Sequence, residues 1–461
     1  MANERRLNWQ GVWAALLLSA CAVPSPPPRE DLVKEAIPNV AIPATWQAAQ
    51  FGGSVVQADW WHSFGDSQLD ALIDEALANS PDVRVAAARV ERASAYAAAA
   101  GAALMPVVSG LARGGGKLSG DNSGLTGWAV HVSWEPDLWG RLRAQREAAK
   151  EQVVAAEADR IWARQSIAAA VARAWFVAIQ ARLVDSLLRR SLEANERLVV
   201  LANERQRVGR GDGLDVTLAE ANVFATQDAL RQAALAIDQS RRALEALLGR
   251  YPAAALQAAE RFPDVALEVP AGVPSELLER RPDVIAAERR VAAAFDNITV
   301  AKAARLPHLS LTAGISSVNS DLFVLQDRSN PLFSVGASIF GTIYDFGALA
   351  AQVDVRSAER REAVARYAQT ALNAFTEVEG ALANNVALAE RREILAKQAR
   401  SQEQALKISQ ERLRVGSGDQ RAVLQQQLAL YLVLQQQLTV DAQQRIERVN
   451  LLLALGGGTE T

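Results

Sequence analysis

What this chain has little of narrows its chemistry. Only one cysteine, Cys21, occurs in 461 residues, which excludes an intramolecular disulfide and a cysteine-based metal site. The three histidines, His62, His131 and His308, are isolated in sequence and none lies in an HExxH pattern, so each reads as a strand or loop residue rather than a metal ligand. Neither a GxxxxGK[ST] phosphate loop nor a GxSxG nucleophile elbow is present. No enzyme and no cofactor is expected. An excess of one charge is also missing: 49 basic side chains face 52 acidic ones, net −3, interleaved without the basic stripe that nucleic-acid binding requires. Long apolar runs are scarce as well. The run VWAALLLSA, Val12 to Ala20, spans about 14 Å as a helix, half of a bilayer's hydrocarbon core. Following Arg5 and Arg6, it marks residues 1–20 as a secretory signal.

The stretch LSAC, Leu18 to Cys21, resembles the lipobox of bacterial lipoproteins, which makes Cys21 the lipidation site. Several acyl chains, at about 0.8 kcal/mol per buried CH₂, hold a protein on a bilayer without a spanning helix. By the same resemblance Ala22 favours the outer membrane. The segment AVPSPPPRE that follows is proline-rich and aperiodic, and residues 21–59 read as an extended, lipid-anchored tether.

What the chain does contain is a duplication. PDVRVAAARVERA from Pro81 matches PDVIAAERRVAAA from Pro282 at offset 201, and both segments run without a gap to a proline, Pro106 and Pro307. The second copy then gains six residues. LWGRLRAQ from Leu138 pairs with DFGALAAQ from Asp345 at offset 207, and that offset holds through ERQRVGRGDGLDV at Glu204 and ERLRVGSGDQRAV at Glu411. The first repeat occupies 60–248, a connection 249–281, and the second repeat 282–461.

Each copy orders its patterns alike: helix, Gly/Ser/Thr-rich alternation, a very long helix, a glycine turn, and a further helix. From Arg141 to Val208 there is no proline and no glycine, enough for a helix on the order of 100 Å. Its seam steps by four and three through Ile167, Val171, Ala174, Ala178, Ala181 and Asp185 to Val199; the second copy's seam runs from Ala374, Val378 and Ala381 to Leu406. That is heptad spacing, and the many alanines permit close helix packing. Four runs alternate with period two, the strand signature. They form two hairpins, over 107–136 and 308–341. Trp128, Val130, Val132 and Trp134 share one face, as do Leu309, Leu311, Ala313 and Ile315, and likewise Val335, Ala337 and Ile339. The strands either cap a helical bundle or, with apolar residues outward and flanking tryptophans, enter a membrane barrel. Four strands cannot close a barrel, so the second reading requires several copies of the chain.

These residues together resemble the TolC family of outer-membrane efflux factors, in its lipoprotein branch. The features are the lipobox, WWHSFGDSQLDALIDEALANSPDV from Trp60, SWEPDLWGRLRA from Ser133, IYDFGALAAQ from Ile343, ERRPDVIAAERRVAAA from Glu279 and the two RVG turns. The resemblance implies a mainly α fold with a transmembrane β part: a repeated long-helix α-barrel plus four strands per protomer, closing as a twelve-stranded β-barrel in a homotrimer. It implies an outer-membrane location extending into the periplasm. The partners would be a periplasmic adaptor and an inner-membrane pump, with solutes passing passively through the duct. The connection 249–281 would belong to an equatorial belt. A different class of function, a periplasmic coiled-coil lipoprotein without transport activity, is the alternative, and the four alternating strands count against it.

By the same resemblance the glycine turns at 208–213 and 415–420 form the periplasmic tip. Val208, Gly209 and Gly211, with Val415, Gly416 and Gly418, are the expected turn and adaptor-contact residues, and Asp419, Asp212 and Asp215 the expected gate. Asp212 and Asp419 stand where helix N-caps belong, so capping and gating are both open roles for them. A ring of carboxylates favours cations. Gln420 and Arg421 depart from the apolar and aromatic residues frequent here in relatives, and Arg421 is placed to neutralise a carboxylate across the aperture.

Overall fold

A computed structural model describes residues 25–48, 57–113, 125–264, 272–320 and 332–458; the signal, Cys21 and its lipobox lie outside these residues. The duplication is visible in the element lengths. Helices α1 (Arg29–Ala36) and α2 (Ser67–Asn79) precede α3 (Pro81–Ala102), strands β1 (Val107–Arg113) and β2 (Leu125–Trp134), α4 (Arg141–Arg207) and α5 (Gly213–Leu247). After α6 (Pro274–Arg280) come α7 (Pro282–Ala303), β3 (His308–Ser320), β4 (Leu332–Phe340), α8 (Ala348–Arg414) and α9 (Gln420–Ala454). Helices α3 and α7 each have 22 residues, α4 and α8 each 67, and α5 and α9 each 35. The six extra residues of the second copy fall between Pro307 and Asp345, in the segment that carries β3 and β4.

The chain divides into two compact units, Met1–Val40 with Ala88–Ala158 and Ile285–Thr370, and Ala41–Ala87 with Asp159–Val284 and Ala371–Thr461. Apart from the one after Val40, their boundaries fall within α3, α4, α7 and α8.

The first unit holds the sheet, antiparallel in the order β1-β2-β3-β4. Its register places like with like: Val108 opposite Val132, Val132 opposite Ala313, and Ala313 opposite Val335. Polar and small residues make the other face, with Ser109, His131, Gly314 and Ser334 aligned across the four strands. The apolar face is not covered: Phe333, Val335 and Ile339 are 79%, 90% and 76% exposed. In water such a face is costly at roughly 25 cal/mol per Å² of apolar surface, so a bundle cap, which would bury it, is not what this sheet is. In the same unit α1 contradicts the extended tether expected for residues 21–59. It folds because Leu32 is buried, Arg29 pairs with Glu288 at 2.7 Å, and Glu35 accepts both terminal nitrogens of Arg360 at 2.6 and 2.7 Å. A helix of eight residues depends on such tertiary contacts.

The second unit has a core centred on α4. The expected seam is too narrow in the first copy. Val171 and Ala178 are buried, but so are Trp175, Phe176 and Ile179, which lie off it. The reason is the short 3₁₀ turn at Trp60–Phe64: Phe64 stacks on Phe176 with centroids 5.2 Å apart, and Trp60 Nε1 donates to Gln165 at 2.7 Å. One stretch of α4 is apolar enough to cross a membrane, but more than half of it is buried in the protein, the mark of a core helix. In the second copy the seam holds better, with Ala374, Val378, Ala381, Leu388, Leu395 and Ala399 buried. The connection 249–281 contains α6 and is anchored by buried charges. Arg281 donates to Asp283 and Glu377 and lies over the Trp162 ring, while Glu245 accepts from the amides of Ala254, Ala255 and Leu256 at 2.7, 2.6 and 2.9 Å.

Candidate functional site

The two glycine turns fold identically because their sequences demand the same termination. After α4, Gly209 adopts φ +72 and after α8 Gly416 adopts φ +74, a left-handed conformation that glycine enters without steric cost. In each turn two amides close back on the last helical turn. Gly209 donates to Gln206 and Arg210 to Arg205; Gly416 donates to Leu413 and Ser417 to Arg412, all at 2.8–3.0 Å. This is the Schellman arrangement. Gly418 is required for a different reason: a Cβ there would lie 2.6 Å from the Leu413 amide nitrogen.

Both expected caps form. Asp212 accepts from the Asp215 amide at 3.0 Å, and Asp419 from the Arg421 amide at 3.0 Å. Asp419 has a second partner, Arg205 near the end of α4, whose Nη1 lies 2.7 Å from its Oδ2. Arg421 in turn pairs with Asp215 at 3.1 Å. Arg421 therefore does neutralise a carboxylate, and that carboxylate belongs to the first turn of the same protomer. The two ion pairs flank a small cavity of about 80 Å³ whose walls include Leu198, Leu201, Ala202 and Leu218. Val208 and Val415 are 56% and 64% exposed.

The structure thus brings Asp419, Asp215 and Arg421 together, and among the described residues Asp212 is left with only its own cap. Arg205 was missed by sequence reasoning because it lies 214 positions from Asp419. No local pattern marks it as a partner of Asp419; its counterpart at the 207-residue offset is Arg412. Elsewhere, His62 Nδ1 lies 3.0 Å from Asp70 and His308 stacks on Phe340. Among the described residues no group of three or more His, Cys, Asp or Glu is placed to hold a metal ion.

A duplicated long-helix protomer with a four-stranded sheet, apolar on one exposed face, is the fold of outer-membrane channels with an α-barrel and a β-barrel part. The chain belongs to the outer membrane efflux protein family, whose profile matches residues 72–250 and 273–457. It is an outer-membrane channel component of an efflux system. It is 31% identical to the pyoverdine export outer membrane protein OpmQ of Pseudomonas aeruginosa, over 98% of this chain and 97% of that one. Identity to the cation efflux system protein CusC of Escherichia coli is 29%, covering 96% of this chain and 97% of the relative. Among solved structures the outer-membrane channel OprN superposes with a TM-score of 0.80 at 27% identity, over 94% of this chain and 99% of that one.

Proposed function

We propose that three copies assemble into a passive exit duct through which an inner-membrane pump, joined by a periplasmic adaptor, expels small solutes. The observation that carries this reading is the sheet. Its apolar face is exposed in register across the strands, and among the described residues β1 and β4 each pair on one side only. Three such sheets joined edge to edge give twelve strands, an even number within the range of closed barrels, with apolar residues toward lipid and Ser, Thr and Gly toward the lumen. Tyr344 and Phe346, 75% and 90% exposed just beyond β4, suit an aromatic girdle. Cys21 carries the lipid that adds a second hold on the outer membrane, with the helices extending into the periplasm.

The glycine turns form the periplasmic tip, where Val208 and Val415 with Gly209, Gly211, Gly416 and Gly418 meet the adaptor. At rest the tip is gated by carboxylates already paired: Asp419 with Arg205 and Asp215 with Arg421. Opening separates these pairs and exposes a carboxylate ring, which Asp212 joins. Relatives named for pyoverdine and for cations fit a duct whose cargo is chosen by the pump.

Conductance of the purified protein in a planar bilayer tests the reading. Channels are expected, with lowered cation preference in Asp419→Ala. Silence from a folded, membrane-inserted trimer, with and without the substitution, would leave the non-conducting coiled-coil lipoprotein as the better account.

A further inference from the structure

The polar face of the sheet ends in two rings. Ser310 lies opposite Ser338 and Thr312 opposite Gly336, but the last pair on that face is His308 with Phe340, stacked with centroids 5.3 Å apart. Beside this pair, within the first unit, a cavity of about 260 Å³ opens between two passages of chain, from β2 into α4 and from α7 into β3. One water takes about 30 Å³ and drug-sized pockets begin near roughly 300 Å³, so the cavity has room for a single-ring organic molecule. Its walls include the apolar side chains of Leu138, Ala303 and Leu306 and the polar ones of Glu135, Arg141 and His308. Leu138 and Leu306 are nearly half exposed. Trp139 Nε1 donates to the Pro307 carbonyl at 2.6 Å and ties the two passages together, so the cavity is formed before any ligand enters.

The hydrogen bonds decide which charge fits. Asp137 accepts the amides of Leu142 and Arg143 at 3.1 and 2.9 Å, and so caps α4. Both oxygens of Glu135 accept from a single nitrogen of Arg141, Nη2, at 2.8 and 3.0 Å. That leaves Nε and Nη1 of Arg141 and the ring nitrogens of His308 without a hydrogen-bond partner among the described residues. A guanidinium carries five N–H donors and no acceptor, and an imidazole always carries at least one donor. Around this cavity the carboxylates are engaged and the donors are free, so a ligand has to bring acceptors.

We propose that this cavity binds small aromatic carboxylates, with the carboxylate on Arg141 and the ring against Leu138 and Leu306. A planar guanidinium matches the two oxygens of a carboxylate. Glu135 beside it keeps the affinity modest, which allows release. The inference rests on the duct reading above for its use: in the duct the polar face of the sheet lines the lumen, and the cavity is a wall site where organic anions pause at the foot of the barrel.

The test titrates 4-fluorobenzoate against the purified, detergent-solubilised protein and follows the broadening of its fluorine resonance. Saturable broadening is expected, and Arg141→Gln should weaken binding by about tenfold. Glu135→Gln should tighten it several-fold, because it removes a negative charge beside the ligand and frees Nη2 of Arg141; a misfolded variant cannot produce that gain. The cation of similar size, 4-fluorobenzylamine, should bind about tenfold more weakly than the acid. Absence of saturable broadening, unchanged binding in Arg141→Gln, or equal binding of the amine overturns the site. Bilayer conductance separates this failure from that of the duct. A conducting protein that ignores the acid keeps the duct and loses the site, whereas a silent protein that binds it keeps the site and loses the duct.

Discussion

Oδ2 of Asp66 accepts a 2.8 Å hydrogen bond from Nε1 of Trp175 while its Oδ1 accepts the amides of Gln68 and Leu69. One carboxylate thereby caps α2 and satisfies a fully buried indole of α4. Asp66→Ala should lower stability by about 2–4 kcal/mol, combining a lost cap with a buried donor left unpaired. Trp175→Phe keeps the cap and removes the donor, and should cost less, about 1–2 kcal/mol. Thermal unfolding in detergent of the two variants checks the order.

Glu245 is 3% exposed. Burial pushes its carboxyl up, but the amides of Leu256, Ala254 and Ala255 outweigh this and hold it below the usual carboxylate range. Glu245→Ala leaves those amides unpaired and should cost about 2–4 kcal/mol, with faster limited proteolysis within 250–264. Ala254 sits at φ +59, so Ala254→Gly should stabilise by about 1 kcal/mol; a loss of stability there would contradict the strain.

Asp296 is 2% exposed and pushed up to about 6, first by burial and then by Glu151 and Glu147 on α4. Its folded value lies above the ordinary 3.8, so the folded state binds the proton more tightly than the unfolded chain. Stability from this site is present at low pH and is lost as pH rises toward and through about 6. Asp296→Asn should remove this dependence, on the order of 1.4 kcal/mol between pH 5 and pH 8, seen as a smaller difference in melting temperature between those two pH values.

The pair Arg421–Asp215 is half-exposed, and such a pair contributes about 0.5 kcal/mol. In the proposed duct, three copies acting on one gate add to about 1.5 kcal/mol, about tenfold in the open-to-closed ratio. Asp215→Ala and Arg421→Ala should each raise resting conductance by up to that factor. The double variant should add little to either single one, and strict additivity in a bilayer recording would show that the two side chains act separately.

Much of the fold was legible because the residues carry period and repetition. The four strands lie within the two expected hairpins, 107–136 and 308–341, and α4 ends at Arg207, one residue before the expected Val208. The glycines of both turns were legible for the same reason. What escaped was tertiary. Helix α1 lies in a stretch with no helical period and is held by Glu288 and Arg360, more than 250 positions away. Phe176 is buried off the heptad seam because Phe64 of a distant aromatic turn packs on it, and Trp175 because its indole reaches Asp66. Arg205 had no local mark as a partner of Asp419, since an ion pair across 214 positions follows from packing and not from pattern.

The equal helix lengths have a consequence for how this chain can change over time. Paired helices of 22, 67 and 35 residues must end level if both glycine turns are to meet. A codon gained or lost in α4 would shift one turn by about 1.5 Å and rotate it by about 100° against its twin, so length changes in these helices are tolerable only when matched in the other copy. The strands are under no such rule. The six residues by which the copies differ fall between Pro307 and Asp345, in the segment that carries the strands, and mark where drift in length has been allowed.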